Sequence, residues 1–206
     1  MIADVPPPAP AAEVILATRG MSKGIAQTDG PQVIAKGLVA FGAVQLGAQW
    51  KNVSSTTADG EAALFATASR KQGSVQLSAG ISYKFQTGIH GGIDHSAFEF
   101  SVGAARKFGA VTLRSSVVYS PDDLGSARRS LFVEAGPAVQ LAKGWTASAA
   151  VGRRDRQGSP DYTAFNVGIG KNIKGCQMDL RYFSTDRAEL GPNYHARIVA
   201  SVKVAL

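Results

Sequence analysis

Cysteine is almost absent from this chain: Cys176 stands alone among 206 residues, which excludes an intrachain disulfide framework. Histidine is nearly as scarce, with His90, His95 and His195 the only three. Long apolar runs are missing too. No stretch approaches the roughly 18 uninterrupted apolar residues that a membrane-spanning helix requires, and the mean hydropathy is zero. No glycine-rich loop is followed by the Lys-Ser/Thr pair that cradles a nucleotide phosphate. Met1–Ile2 offers neither a charged nor an apolar leader segment, so export is expected to depend on a signal peptide absent from this chain.

What the chain does have is alternation. In 74–85, Val75, Leu77, Ala79, Ile81, Tyr83 and Phe85 share one parity, and Gln76, Ser78, Gly80, Ser82 and Lys84 share the other. Successive side chains of a strand point to opposite faces, so a period of two means strand. Repeated in runs of about ten residues, the pattern suits a wall with lipid on one side and water on the other. The expected fold is all-β: an antiparallel up-and-down transmembrane barrel of twelve strands. They are placed at 13–23, 32–41, 44–53, 62–70, 74–85, 95–106, 110–120, 128–141, 145–153, 162–171, 176–185 and 194–206. Residues 1–12, with Pro6, Pro7, Pro8 and Pro10, read as an extended polyproline-like periplasmic arm ahead of a barrel spanning 13–206.

The connections alternate in length. Short glycine-bearing turns such as Gly42-Ala43 and Lys71-Gln72-Gly73 alternate with longer stretches such as SSTTADGE and TDRAELGPN. Outer-membrane barrels have short periplasmic turns and longer extracellular loops. An even strand count therefore puts both termini in the periplasm. A soluble β-sandwich, the competing fold, would mix its loop lengths. Basic residues without acidic ones flank the short turns (Arg70, Lys71, Arg106, Lys107, Lys143, Lys171, Lys174). The outward parity carries Trp50, Tyr83, Phe85, Phe98, Tyr119 and Tyr182 at the long-loop ends, with Phe41 and Trp145 at the other, as two aromatic girdles would. Cys176 shares the apolar parity of Met178 and Leu180 and reads as a small lipid-facing side chain.

Three segments carry a family resemblance. KGIAQTDGPQVIAKGLVAF (Lys23 to Phe41) resembles the RGISQSDG region near the start of the Gcw_chp family, proteobacterial outer-membrane β-barrels without an assigned activity. WKNV (Trp50–Val53) and YSPDD (Tyr119–Asp123) are similar to that family's strand ends. Lys23 stands where the family pattern has arginine, and Leu206 ends the chain where such barrels usually end in an aromatic. The resemblance implies a barrel in the outer membrane of a Gram-negative bacterium and brings no substrate.

Function is expected on the inward parity. It carries Gln45, Gln49, Lys51, Gln76, Lys84, Glu99, Thr112, Arg114, Glu134, Gln140, Asn166, Asp179, Arg181, Arg197 and Lys203. Six of these are basic and three acidic, so an open lumen would favour anions. That reading makes the protein a porin-like transport channel for small hydrophilic or anionic solutes. The competing reading is a non-conducting barrel in which Glu99, Glu134 and Asp179 pair with the arginines and a partner binds through the loops. Arg128, Arg129, Arg153, Arg154 and Arg156 are candidates for contact with lipopolysaccharide phosphates. An outer-membrane enzyme is a minor alternative, because Asp94-His95-Ser96 has triad residue types but places neighbours on opposite strand faces. No cofactor or metal is expected. His90 and His95 lack a third clear ligand, and basic residues spread over turns and inner wall argue against nucleic acid. Nothing identifies a protein partner.

Overall fold

A computed structural model describes residues 9–92, 94–124 and 128–206. The polyproline reading of Pro6–Pro8 therefore lies outside the described residues. The strands are β1 (Ala9–Ala17), β2 (Met21–Ser22), β3 (Ile25–Ala26), β4 (Gln32–Phe41), β5 (Val44–Asn52), β6 (Ala58–Gln72) and β7 (Val75–Ile89). They continue as β8 (Ser96–Phe108), β9 (Val111–Ser120), β10 (Ser130–Gln140), β11 (Trp145–Arg156), β12 (Tyr162–Ile173), β13 (Cys176–Thr185) and β14 (Arg197–Ala205). Twelve of them close into an antiparallel barrel in which each strand pairs with its neighbours in sequence, β1 pairs β4, and β14 returns to β1. The remaining pair, β2 and β3, forms a separate two-stranded sheet inside the first long connection.

Parity decides which side chains face the lumen. Along β7 and β8, Ser82 faces Glu99 and Ser78 faces Gly103 on the inner wall, while Tyr83 faces Phe98 on the outer one. The outer wall is apolar and exposed: Leu64, Val102, Leu113, Val167, Leu180 and Ile198 are all at least half accessible. A soluble protein does not leave so many large apolar side chains open over its whole girth. In a bilayer that surface is covered by acyl chains, and closure leaves no unpaired strand edge to be desolvated. Trp50, Tyr83, Phe98, Tyr119 and Tyr182 are exposed on this face, as are Phe41 and Trp145 at the short-turn end, and Phe85 is half-buried beside Tyr83. Lys171 lies over the Trp145 ring at 4.8 Å and Arg106 over Phe108 at 4.7 Å, so the short-turn rim alternates cations with aromatics.

The chain beginning differs from expectation. Strand β1 spans Ala9–Ala17 rather than 13–23, so Ala9–Ala12 belong to the barrel and not to an arm. Pro10 is tolerated because Ala9–Ala12 pair only with β4, while β14 first meets β1 at Glu13↔Ala205. The missing N–H therefore costs no ladder bond on an open flank. Residues beyond Ala17 leave the wall, turn inward as β2 and β3, and return to it at Gln32.

Candidate functional site: the inward hairpin and the lumen

The β2–β3 hairpin turns on Lys23 and Gly24, both in the left-handed region (φ +50 and +85). Two such residues in succession are what a two-residue hairpin turn requires. The hairpin is seated against the inner wall. A Cβ on Gly24 would collide with Ala164 of β12, and the Tyr162 hydroxyl donates to the Lys23 carbonyl at 2.8 Å. Tyr162 is fully buried, with Tyr194 edge-on to it at 5.4 Å.

Lys23 heads a buried ion cluster. Its ammonium bonds Glu99 of β8 and lies 3.8 Å from Asp123, the residue after which the β9–β10 connection continues. Glu99 also takes Lys84 of β7 at 2.6 Å, and Asp123 takes Arg154 of β11 at 2.5 Å and the Ser130 hydroxyl at 2.6 Å. Three cations thus enclose two carboxylates. Burial alone would raise the Asp123 carboxyl, but the Lys23 and Arg154 charges and bonds from Ser130 and the Leu124 N–H bring it down to about 2. Burial, together with the Arg154 and Lys84 charges, holds the Lys23 ammonium below its ordinary range against the pull of Glu99 and Asp123. A buried pair of this kind orients strongly while adding little net stability.

The rest of the connection is equally fixed. Thr28 accepts the Gly20 N–H at 2.7 Å and donates to the Gly30 carbonyl. Lys51, paired with Glu61 at 3.0 Å, donates to Gln27 at 2.7 Å. Asn52 clamps the return, donating to the Pro31 carbonyl at 3.0 Å and accepting the Val33 N–H at 2.7 Å. The three segments singled out in the sequence therefore meet in space: the hairpin from the first, Lys51 and Asn52 from the second, and Asp123 from the third.

Two water-accessible spaces flank the cluster. A vestibule of about 880 Å³ opens among the long loops, lined by Lys23, Gln27, Lys84, Asp123, Arg128, Arg154 and Arg156. A chamber of about 400 Å³ lies toward the short turns, lined by Gln76, Arg114, Ser116, Glu134, Asn166 and Arg181. The ladder gives the step between them: Glu134 faces Gly152, and one inward position further toward the loops Phe132 faces Arg154. Small inner side chains leave the chamber open. Where glycines do recur, inward aromatics fill the space they vacate, Phe65 over Gly47 and Phe132 over Gly152.

The inward residues anticipated from parity all sit on the inner wall, but their pairing differs. Glu99 pairs with two lysines rather than an arginine. Asp179 does hold Arg181, whose guanidinium also bonds Asn166 at 2.7 Å and Ser148 at 2.9 Å. Lys203 reaches Glu13 at 3.9 Å, and Arg197 bonds the carbonyls of His195 and Pro192. Lys23, Glu61, Asp123 and Arg154 were not anticipated as lumen residues. Glu61 and Arg154 sit where β6 and β11 run further than expected, and continuing the parity by a few residues finds both. Lys23 and Asp123 lie in loops, where no period exists to read.

The arginine set proposed to face lipopolysaccharide requires correction. Arg154 is buried inside the barrel on Asp123 and Tyr162, and Arg156 stacks inward over Tyr162 at 5.1 Å and bonds Tyr194 at 2.8 Å. Arg128 lines the vestibule. Arg129 and Arg153 are the two on the outer rim; Arg153 pairs with Asp155 at 2.9 Å, and Arg129 borders a hollow with Tyr119 and Leu131. His95 bonds Gln86 at 2.9 Å, not Ser96, and His90 lies 3.5 Å from Asp59. Among the described residues no three metal-ligating side chains cluster.

A family model described as "Bacterial protein of unknown function (Gcw_chp)" matches residues 8–205. No curated protein sequence matches the chain. Solved structures share the fold at low identity. The porin KdgM is 10% identical with a TM-score of 0.63, over 95% of this chain and 98% of that one. The porin NanC is 8% identical with a TM-score of 0.65 over the same shares. The COG4313 outer membrane channel from Pseudomonas putida F1 is 11% identical, with a TM-score of 0.55 over 100% and 98%. KdgM has also been solved in complex with disordered oligogalacturonate.

Proposed function

The chain belongs to the Gcw_chp family, and on that premise we propose that it is a porin-like channel of the outer membrane, passing small hydrophilic solutes with a mild preference for anions. The observation that carries this reading is the lumen: a closed barrel encloses spaces of about 880 Å³ toward the long loops and 400 Å³ toward the short turns, each lined by charged and small side chains. Water and small solutes occupy such spaces at little cost, because the walls already supply hydrogen-bonding partners. Anion preference follows from the unpaired charges. Among described inward side chains Lys36, which faces Gln49 on the ladder, Arg114 and Arg197 have no carboxylate partner, against Glu134 among the strand carboxylates. Fixed cations in a low-dielectric tube focus a positive potential on the conduction path. A solved relative in fold, KdgM, is recorded with an anionic oligosaccharide, which is consistent with this sign.

The hairpin occupies part of the lumen at the ion cluster, held by Glu99, Asp123 and Tyr162. Its docking also favours a second reading, a barrel closed at the cluster that acts through its loops, with Arg129 and Arg153 facing lipid phosphates. Planar-bilayer recording of the refolded barrel separates the two. The channel reading expects discrete conductance steps and a reversal potential of anionic sign under a salt gradient. A barrel that inserts and never conducts, even with 21–26 deleted, refutes it.

A further inference from the structure

The chamber toward the short turns holds two unlike charges that do not meet. Arg114 on β9 is solvent-exposed within it and has no carboxylate within ion-pair distance among the described residues. Glu134 on β10 accepts one long bond, from Asn166 at 3.5 Å, and forms no ion pair there. They are diagonal neighbours on adjacent strands, since Ser116 faces Glu134 and Arg114 faces Gly136. Arg181 on the far wall is different: Asp179, Asn166 and Ser148 occupy its donors, so it serves to hold Asn166 toward Glu134.

A lumen that merely needed filling would bring such opposite charges together, as it does at Lys51–Glu61 and Arg181–Asp179. Here the two are neighbours on one wall yet form no ion pair, and both line a cavity of about 400 Å³, within the roughly 300–1,000 Å³ of small-molecule sites. The surrounding wall is Gly103, Ala105, Ala138 and Ala150, which leaves room, with Gln76 and Ser116 offering further hydrogen bonds. A simple anion would satisfy Arg114 and face the Glu134 carboxylate unshielded. A simple cation would meet the converse penalty. A molecule carrying both a carboxylate and an ammonium meets both poles and is repelled by neither.

We infer that this chamber is a binding site for small zwitterions of the amino-acid class, taking the carboxylate on Arg114 and the ammonium on Glu134. Access along the barrel axis rests on the channel reading above; the site's chemistry does not. The guanidinium presents a planar fork suited to a carboxylate, and confinement strengthens both contacts relative to bulk water.

The probe is β-alanine, with propionate and ethylamine as its single-charge counterparts. Equilibrium binding of radiolabelled β-alanine to the detergent-folded barrel reads the site without requiring conduction; bilayer recording then reads transient block. β-Alanine should compete for the labelled site at a concentration at least tenfold below either counterpart. Arg114→Gln and Glu134→Gln should each weaken it at least tenfold, and the charge-swapped double variant, Arg114→Glu with Glu134→Arg, should recover most of the loss, since a zwitterion fits the exchanged poles in reverse. Propionate competing as well as β-alanine, or a folded swap variant no better than the single ones, would overturn the inference. A barrel that binds β-alanine but passes no current would refute the channel and leave the site standing.

Discussion

Replacing Asp123 by asparagine tests the buried cluster where its electrostatics are most exacting. The carboxyl is held from 3.8 down to about 2, a shift on the order of 2 kcal/mol in favour of the folded state when ionised. Asparagine keeps the shape but removes that charge. It leaves Arg154 with the Tyr162 hydroxyl at 3.4 Å and no carboxylate, and removes the anion that stands between Arg154 and Lys23, while Lys23 keeps Glu99. Breaking a buried pair by neutralising one member costs about 3–5 kcal/mol, so Asp123→Asn should lose about 3 kcal/mol at pH 7. Urea titration of the barrel in lipid vesicles, followed by the fluorescence of Trp50 and Trp145, measures it. The sign with pH is set by the depressed carboxyl: its stabilisation is complete above the ordinary value of 3.8 and vanishes as pH falls through about 2. The wild type should converge on the variant across that window. A variant within about 0.5 kcal/mol of wild type at pH 7, the cost of a screened surface pair, would refute the placement of Asp123 in a desolvated cluster.

Other outcomes follow from the same geometry. Val117→Arg on the outer wall should cost about 2–4 kcal/mol near the bilayer midplane, while Ser116→Arg, facing the chamber, should fold normally; equal penalties would contradict the parity. Epitope tags at Ser55 or Gly158 should be reached by antibody on intact cells and a tag at Gln72 should not; labelling at Gln72 would invert the topology. Lys23→Met leaves Glu99 with Lys84 and Asp123 with Arg154, so the wall should hold while the hairpin loosens, and unit conductance should rise. Unchanged conductance in Lys23→Met would show that the hairpin does not narrow the path. Arg114→Glu should move the reversal potential toward cations, less so at 1 M salt, where the Debye length is about 3 Å.

Most of the barrel was readable because lipid and water impose the same alternation on every strand. The inner-wall positions from Gln45 to Lys203 follow from parity alone, and all of them face the lumen. Legibility fails where the period does. Nothing in MSKGIA between Met21 and Ala26 distinguishes a hairpin folded into the lumen from one waving outside, because its partners Glu99, Asp123, Tyr162 and Arg154 lie far along the chain. The turn itself was recoverable, since a residue followed by glycine between two short alternating pairs suits a type I′ pair. The expected strand 145–153 stops one residue short of Arg154, whereas the ladder with β10 runs on to Arg156 and turns Arg154 inward.

The seating of the hairpin also bears on how the barrel is built. Its turn is made from residues near the chain's beginning, yet the hydroxyl that caps it belongs to Tyr162, 139 positions later. The seam that closes the wall spans a still greater separation, from Ala17 to Ser201. Contacts between such distant positions carry the largest loop-closure entropy and form only when most of the chain is in place. Until β12 has been laid down, the Lys23 carbonyl lacks the Tyr162 hydroxyl that donates to it. The seating of the hairpin therefore belongs, with the final seam, to the last stage of assembly, and a wall that stops short of β12 has nothing to cap the turn.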